Sequence, residues 1–233
     1  MKIVILSDIH GNYDALSALP ESYDECWVLG DLVNYGPEPG RVVDFVRNTT
    51  TTVVRGNHDQ CIGYEDDPRC SAAFREMAEA TRRFSNSVLT GEQKRYLRSL
   101  PEQAETTRDH TRFFLCHATP SDPLYEYRNA DSRKWLDDCA QLRADVILVG
   151  HTHIPFVRSL GRQVLVNPGS LGQPKTGQSD ACYAVWEEGQ VSLRTFRYPV
   201  EKTIEKIRSM PLDKIIQQQL IAVLECGGRP RKE

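Results

Sequence analysis

The chain of 233 residues carries 29 Lys and Arg against 32 Asp and Glu, a net charge of −3. A balance so near neutral excludes an electrostatic case for duplex nucleic acid binding and for an acidic, solvating segment. The length suits one sizeable α/β domain over residues 1–233 with a true hydrophobic core.

The opening "MKIVILSDIHGN" has an apolar run too short for a signal-peptide core or a membrane span, so a cytoplasmic location is expected. Six apolar, β-branched runs follow one another along the chain and end in short polar clusters: "KIVILSD", "CWVLGD", "TVVRGN", "RFFLCH", "DVILVGH" and "QVLVNPG". Each reads as a buried strand. Helical stretches such as "PGRVVDFVRN" and "DSRKWLDDCAQLR" lie between them, and this alternation indicates a layered α/β fold. "CYAVWEEGQVSLRTFRYP" reads as an antiparallel hairpin turning about Glu188–Gln190, which makes the sheet arrangement mixed.

From 60 to 108 no strand is expected. Two helical patterns, "CSAAFREMAEATRRFSNS" and "TGEQKRYLRSL", suggest an inserted pair, the second opened by a capping box of Thr90 and Gln93. The pair either walls the substrate site or covers the sheet. A C-terminal amphipathic helix over about 211–226 should stop at Gly227 and Gly228, ahead of a basic tail. Seven cysteines, at 26, 61, 70, 116, 139, 182 and 226, form no C-x-x-C pair, which fits reduced thiols rather than disulfides or a zinc knuckle.

Residues able to hold metals stand at the ends of these strands. "SDIHGN" supplies Asp8 and His10, "LGDLVNYGP" Asp31, "RGNHDQ" Asn57, His58 and Asp59, "LCHATP" His117, and "GHTH" His151 and His153. Five of the six histidines thus follow expected strands. Ligands of an open α/β sheet gather outside the carboxyl ends of its strands, so the blocks can converge on one crevice. If the backbone stays extended past Gly150, His151 and His153 point to the same side and reach one object, for which a metal is the natural choice. Each block alone also fits a turn or a helix cap; five in order do not.

The order D-x-H, G-D, G-N-H-D, H, G-H-x-H resembles the calcineurin-like metallophosphoesterases. That resemblance implies a sandwich of two mixed β-sheets flanked by helices, with a dinuclear metal site at one edge. It implies one ion on Asp8, His10, Asp31 and His153 and a second on Asp31, Asn57, His117 and His151, with Asp31 bridging. Mixed nitrogen and oxygen ligands suit Mn²⁺, Fe, Zn²⁺ or Co²⁺ better than Ca²⁺. Two such ions roughly 4 Å apart share a hydroxide and clamp a phosphoester, so phosphoester hydrolysis is the expected reaction. By the same resemblance His58 is the catalytic histidine.

The protein Ser/Thr phosphatases carry an Asp three residues after the bridging Asp and then an Arg; here Asn34 and Tyr35 stand in those places. This weakens a protein-phosphatase reading and leaves open what orients His58, with Asp59 as a first candidate. "NYGPEPG" and "NPGSLGQPK" instead resemble small bacterial and archaeal members that hydrolyse phosphodiesters, phosphomonoesters or dinucleoside polyphosphates. Asn12, Tyr35, Gly169 and Ser170 are candidate substrate contacts, as are the loop residues Tyr125, Tyr127 and Arg128 as stacking or phosphate-pairing groups. Each has a plainer role open to it: a helix cap for Asn12, a Pro-Gly turn for 167–170, packing for the rest. The expected partner is a small, nucleotide-like phosphoester. A fold retained as a non-catalytic scaffold is the rival reading, though such a protein would show eroded ligands.

Overall fold

A computed structural model describes residues 1–67, 69 and 74–228. Ten strands form two five-stranded sheets. The first runs β10 (Gln190–Phe196), β9 (Ala181–Glu187), β1 (Lys2–Leu6), β2 (Glu25–Val28), β3 (Thr52–Val53). The second runs β4 (Gln103–Arg108), β5 (Thr111–Cys116), β6 (Val146–Leu148), β8 (Gln163–Asn167), β7 (Phe156–Leu160). Both are mixed: β1–β2–β3 and β5–β6–β8 pair in parallel, while β9, β10, β4 and β7 add antiparallel neighbours.

The continuous apolar reading of the inner strands follows from burial on both faces. In β1, Ile3 and Ile5 enter the layer between the sheets with Trp27, Leu29, Phe113, Leu115, Leu148 and Trp186. Phe113 meets Trp27 and Trp186 edge to face, at ring-centroid distances of 4.8 and 5.4 Å. Val4 and Leu6 point the other way, onto Val42, Val43 and Val46 of α2 (Pro39–Thr49) and Leu97 of α5 (Gly91–Ser99). The outer face of the second sheet is covered by Trp135 and Cys139 of α6 (Lys134–Ala140). The two mixed sheets flanked by helices are the architecture expected from the sequence.

Local signals also hold. Thr90 accepts the Gln93 N–H and Gln93 Oε1 accepts the Thr90 N–H. The helix α8 (Lys214–Cys226) ends at Gly227 in the left-handed region, φ 58°, packed on the backbone of Gln178 where no Cβ fits. The hairpin of β9 and β10 turns at Glu188 and Gly189.

Three elements differ from expectation. Gln103–Arg108 is a strand, paired with β5 through a turn at Asp109 and His110, both with positive φ. As an edge strand it has no apolar run, since alternate residues are exposed. The β7 strand, also at an edge, was hidden for the same reason. A further helix, α7 (Val200–Ser209), follows Pro199 and packs Ile204 and Ile207 against Leu220 and Leu224 of α8 and Met77 of α4 (Arg75–Val88). The first expected helix of the 60–108 region is described from Phe74 onward; its portion at 70–73, like the basic tail after 228, lies outside the described residues. Six described cysteines are free. Among the described residues no helix is long and apolar enough to cross a membrane.

Candidate metal centre

The carboxyl ends of β1, β2, β5 and β6 bring the metal-type residues together. Asp8, His10 and His153 form one buried cluster and Asp31, His117 and His151 a second, with the ligand atoms of each within 4.8 Å of one another. In the first, His153 Nε2 lies 3.3 Å from His10 Nε2 and 3.2 Å from Asp8 Oδ1. In the second, His117 Nε2 lies 3.3 Å from Asp31 Oδ2, 3.2 Å from His151 Nδ1 and 3.1 Å from Asn57 Oδ1. Asp31 Oδ2 is also 3.6 Å from His10 Nε2, so one carboxylate oxygen stands between the clusters. Each cluster takes ligands from both sheets: Asp8, His10 and Asp31 follow strands of the first, and His117, His151 and His153 follow strands of the second.

The ring nitrogens facing away from the clusters are all tied to backbone carbonyls. His10 Nδ1–H donates to Val33 O at 3.0 Å, His117 Nδ1–H to Leu29 O at 2.8 Å, and His153 Nδ1–H to Gln173 O at 2.6 Å. His151 uses Nε2–H on Tyr125 O at 3.2 Å. A carbonyl accepts only, so each back nitrogen holds a hydrogen and the inward nitrogen is the one left to ligate a metal. Asp8 Oδ1 is buried with no hydrogen-bond partner, a costly state that a cation resolves. The donor set of each cluster therefore fits a metal ion.

The backbone is specialised here. Asp8, His10, Asp31, Asn34, Tyr35, His151 and His153 all have positive φ between 48° and 67°. Non-glycine residues enter this region at a cost of order 1–3 kcal/mol, and such strain gathers at functional sites. The expectation of an extended segment past Gly150 is therefore corrected: the chain turns at His151 (φ 65°) and His153 (φ 62°), and that turn delivers one imidazole to each cluster. Two glycines are required by close approach. A Cβ on Gly150 would strike Ser7 Oγ, and one on Gly56 would strike Asp31 Oδ1.

Burial dominates the electrostatics of most of these rings. It pushes His10 down to about 3 and His58 down to about 4, with neighbouring histidines adding to the effect against the pull of Asp31. It also lowers His151 and His153. Burial opposes the charged form of His117 as well, but the Asp31 charge and hydrogen bond, with Asp8, outweigh it and push this group up to about 9. The metal-free protein at pH 7 thus holds an extra proton on His117, and a ligand must lose it. Loading the second cluster at pH 7 should release about one proton, with affinity rising roughly tenfold per pH unit toward 9 and levelling above it. Calorimetric titration in buffers of different ionisation enthalpy reads this directly; zero protons released at pH 7 would refute it.

The remaining candidates are placed as follows. His58, 3% exposed, opens the helix α3 (Asn57–Gly63), and its ring stands 5.1 Å from that of His10. Asp59 is not its partner: the Asp59 carboxylate accepts the backbone N–H groups of Asp31, Leu32 and Gly56. Burial and the Asp31 charge push Asp59 up to about 7 against the N–H groups of Gly56 and Leu32. Instead, Asn34 Nδ2 lies 2.7 Å from His58 Nδ1.

Asn12 is spent on structure. Its Oδ1 accepts from Ala15 N–H and the Thr203 hydroxyl, and its Nδ2 donates to Gly172 O and the Tyr198 hydroxyl. The Gly169 N–H goes to Asn167 Oδ1, and Ser170 Oγ donates to Asp8 O while accepting from the Gln173 N–H. The Gly169 N–H is thus occupied, and Ser170 Oγ ties the turn to the loop of Asp8. Tyr35, buried, presses its ring against both His10 and His58. Arg128 is consumed by Glu126 and Asp138. Tyr127 is 48% exposed and lies on His151 at 3.9 Å, which makes it the candidate that faces outward. The helix α4 touches the site indirectly, where Ser85 Oγ accepts the Asn34 N–H.

Asn167 went unrecognised as a support: its Nδ2 donates to Gly150 O and Thr152 Oγ1, holding the loop of His151 and His153. Its place at the end of "QVLVN" was the available signal. The carbonyls behind the histidines carried none, because every residue has one.

Residues 1–190 match the family model of the calcineurin-like phosphoesterase superfamily domain. The chain belongs to that superfamily. Among its relatives, an uncharacterized protein MJ0912 of Methanocaldococcus jannaschii is 30% identical, the match covering 94% of this chain and 96% of that one. The phosphodiesterase YfcE of Escherichia coli K12 is 26% identical over 83% of this chain and 91% of its own. A metallophosphoesterase of Sphaerobacter thermophilus superposes with a TM-score of 0.82 at 27% identity, covering 95% and 98% of the two chains. The chain is thus a phosphoester hydrolase by family, the family implies divalent metal ions, and the two Asp and His clusters are groups that could hold them.

Proposed function

We propose that this hydrolase cleaves a small phosphodiester or nucleotide-like phosphoester at a dinuclear centre held by Asp8, His10, Asp31, Asn57, His117, His151 and His153. The observation that carries the reading is the single oxygen Asp31 Oδ2, 3.6 Å from His10 Nε2 and 3.3 Å from His117 Nε2. Two bound Mn, Fe, Zn or Co ions would supply an activated water and positive charge for the phosphoryl oxygens. The chain's own part is to set that charge. Two carboxylates, Asp8 and Asp31, with neutral imidazoles and one amide, leave two divalent ions under-neutralised and so favour an anion.

His58 stands beside this centre without belonging to either cluster, and in this reading it donates to a substrate oxygen. Tyr127, exposed on His151, offers a face to an aromatic leaving group or base.

The test is metal-free protein reconstituted with Mn²⁺ and assayed for nitrophenolate release from bis-p-nitrophenyl phosphate, with monoesters and dinucleoside polyphosphates in parallel. Turnover that needs the metal supports the reading, and the preferred ester then separates diesterase from monoesterase and polyphosphate hydrolase. Two bound ions without turnover on any ester would leave the scaffold reading in its place.

A further inference from the structure

The five histidines of the site are not oriented alike. Those of the two clusters set their back nitrogen against a carbonyl, which takes its hydrogen and leaves the inward nitrogen to a metal. His58 has an amide nitrogen behind it: Asn34 Nδ2 at 2.7 Å from Nδ1. A donor behind the ring takes the lone pair and sends the hydrogen to Nε2.

Cys61 decides which way the Asn34 amide points. Its thiol gives its hydrogen to His58 O at 3.0 Å, so Sγ is left as an acceptor, and Asn34 Nδ2 lies 3.6 Å from it. The two hydrogens of Nδ2 therefore meet Nδ1 and Sγ. With the amide reversed, Oδ1 would face a sulfur that has no hydrogen left to give. One amide atom lacks a partner in either orientation; here it is Oδ1.

We infer that Asn34, set by Cys61, is a positioning residue that locks His58 in the Nε2–H tautomer, so that this site favours phosphoesters and anhydrides with acidic leaving groups. The inference rests on the phosphoesterase reading above. As the bond from phosphorus to the leaving oxygen breaks, its electron pair departs with that oxygen, and a new bond forms from water, whose proton passes to solvent. His58 donates a hydrogen bond to the departing oxygen and keeps its proton, because surrendering it would create an imidazolate. A phosphate or a phenolate leaves readily under those terms, whereas an alkoxide, which needs a full proton, does not. A carboxylate in the place of Asn34 would accept Nδ1–H and permit complete transfer from Nε2.

Two measurements test this. In ¹⁵N-labelled protein loaded with Zn²⁺, long-range ¹H–¹⁵N correlation reads each ring's tautomer, with His58 assigned by its loss in His58→Gln. The expected pattern is a hydrogen on Nε2 and a bare Nδ1; a hydrogen on Nδ1 overturns the proposal, and the reading does not depend on turnover. In the metal-replete enzyme, bis-aryl phosphodiesters of graded phenol acidity should lose kcat/KM by roughly tenfold per unit of leaving-group pKa, and Asn34→Asp should flatten that dependence. A slope equal in both proteins overturns the proposal. Absence of turnover on every ester strikes the phosphoesterase reading instead, and the tautomer stands or falls separately.

Discussion

Asp31→Asn protein is expected to fold and to hold neither ion with its original affinity, with kcat/KM reduced by about 10³-fold or more, some 4 kcal/mol of transition-state stabilisation. Asparagine is the informative replacement because it keeps the shape of a tightly enclosed side chain. Asp31 is 1% exposed, its Oδ1 accepts the His58 N–H at 2.9 Å, and Gly56 presses against that oxygen. The amide retains one acceptor for that N–H but places an NH₂ group where Oδ2 stood, between His10 and His117. An NH₂ group cannot ligate, and the lost negative charge raises the repulsion between two cations in a site of low dielectric. Metal content after desalting, read by elemental analysis, and turnover on bis-p-nitrophenyl phosphate check the result together. Retention of two ions with near-original turnover would show that Asp31 does not bridge.

His58→Ala should separate the two properties that Asp31→Asn loses together. The ring of His58 is in neither cluster, and its hydrogen bond to Asp31 is made by the backbone, which alanine keeps. Both ions should therefore remain bound, while turnover falls by about 10²–10⁴-fold, the range for loss of a positioned proton donor or hydrogen-bond donor. Loss of metal in this variant would move His58 into the ligand set, and unchanged turnover at full metal content would remove it from the chemistry.

The sheets and the ligand blocks were legible because their signals are local. Buried strands such as "KIVIL" and "DVILV" show as apolar runs, and the residues after them are metal types in an order that few other constraints would produce. The edge strands β4 and β7 were not, since a half-exposed strand needs no apolar face. The site's supporting shell was hidden for a different reason. Asn34 and Asn167 act through partners 24 and 17 residues away, and the carbonyls of Leu29, Val33, Tyr125 and Gln173 belong to residues whose side chains say nothing of that task. For Asn12, Gly169 and Ser170 the sequence was silent in another way: a polar residue near a ligand block looks the same whether it serves the substrate or the fold, and their hydrogen bonds within the protein show only at the level of structure.

Because each cluster draws on strand ends from both sheets, an ion in either place rivets one half of the sandwich to the other. The apolar layer between the sheets supplies cohesion along their length, but at this rim the facing groups are buried carboxylates and imidazoles, joined without metal by the pair of His117 and Asp31. Metal affinity is then also resistance to splaying: binding that stabilises the native state by about RT ln(1 + [M]/Kd) is spent across the seam. A chelated protein should keep its interior and open first from the catalytic rim, so that the same event that silences the enzyme also exposes its most strained loops.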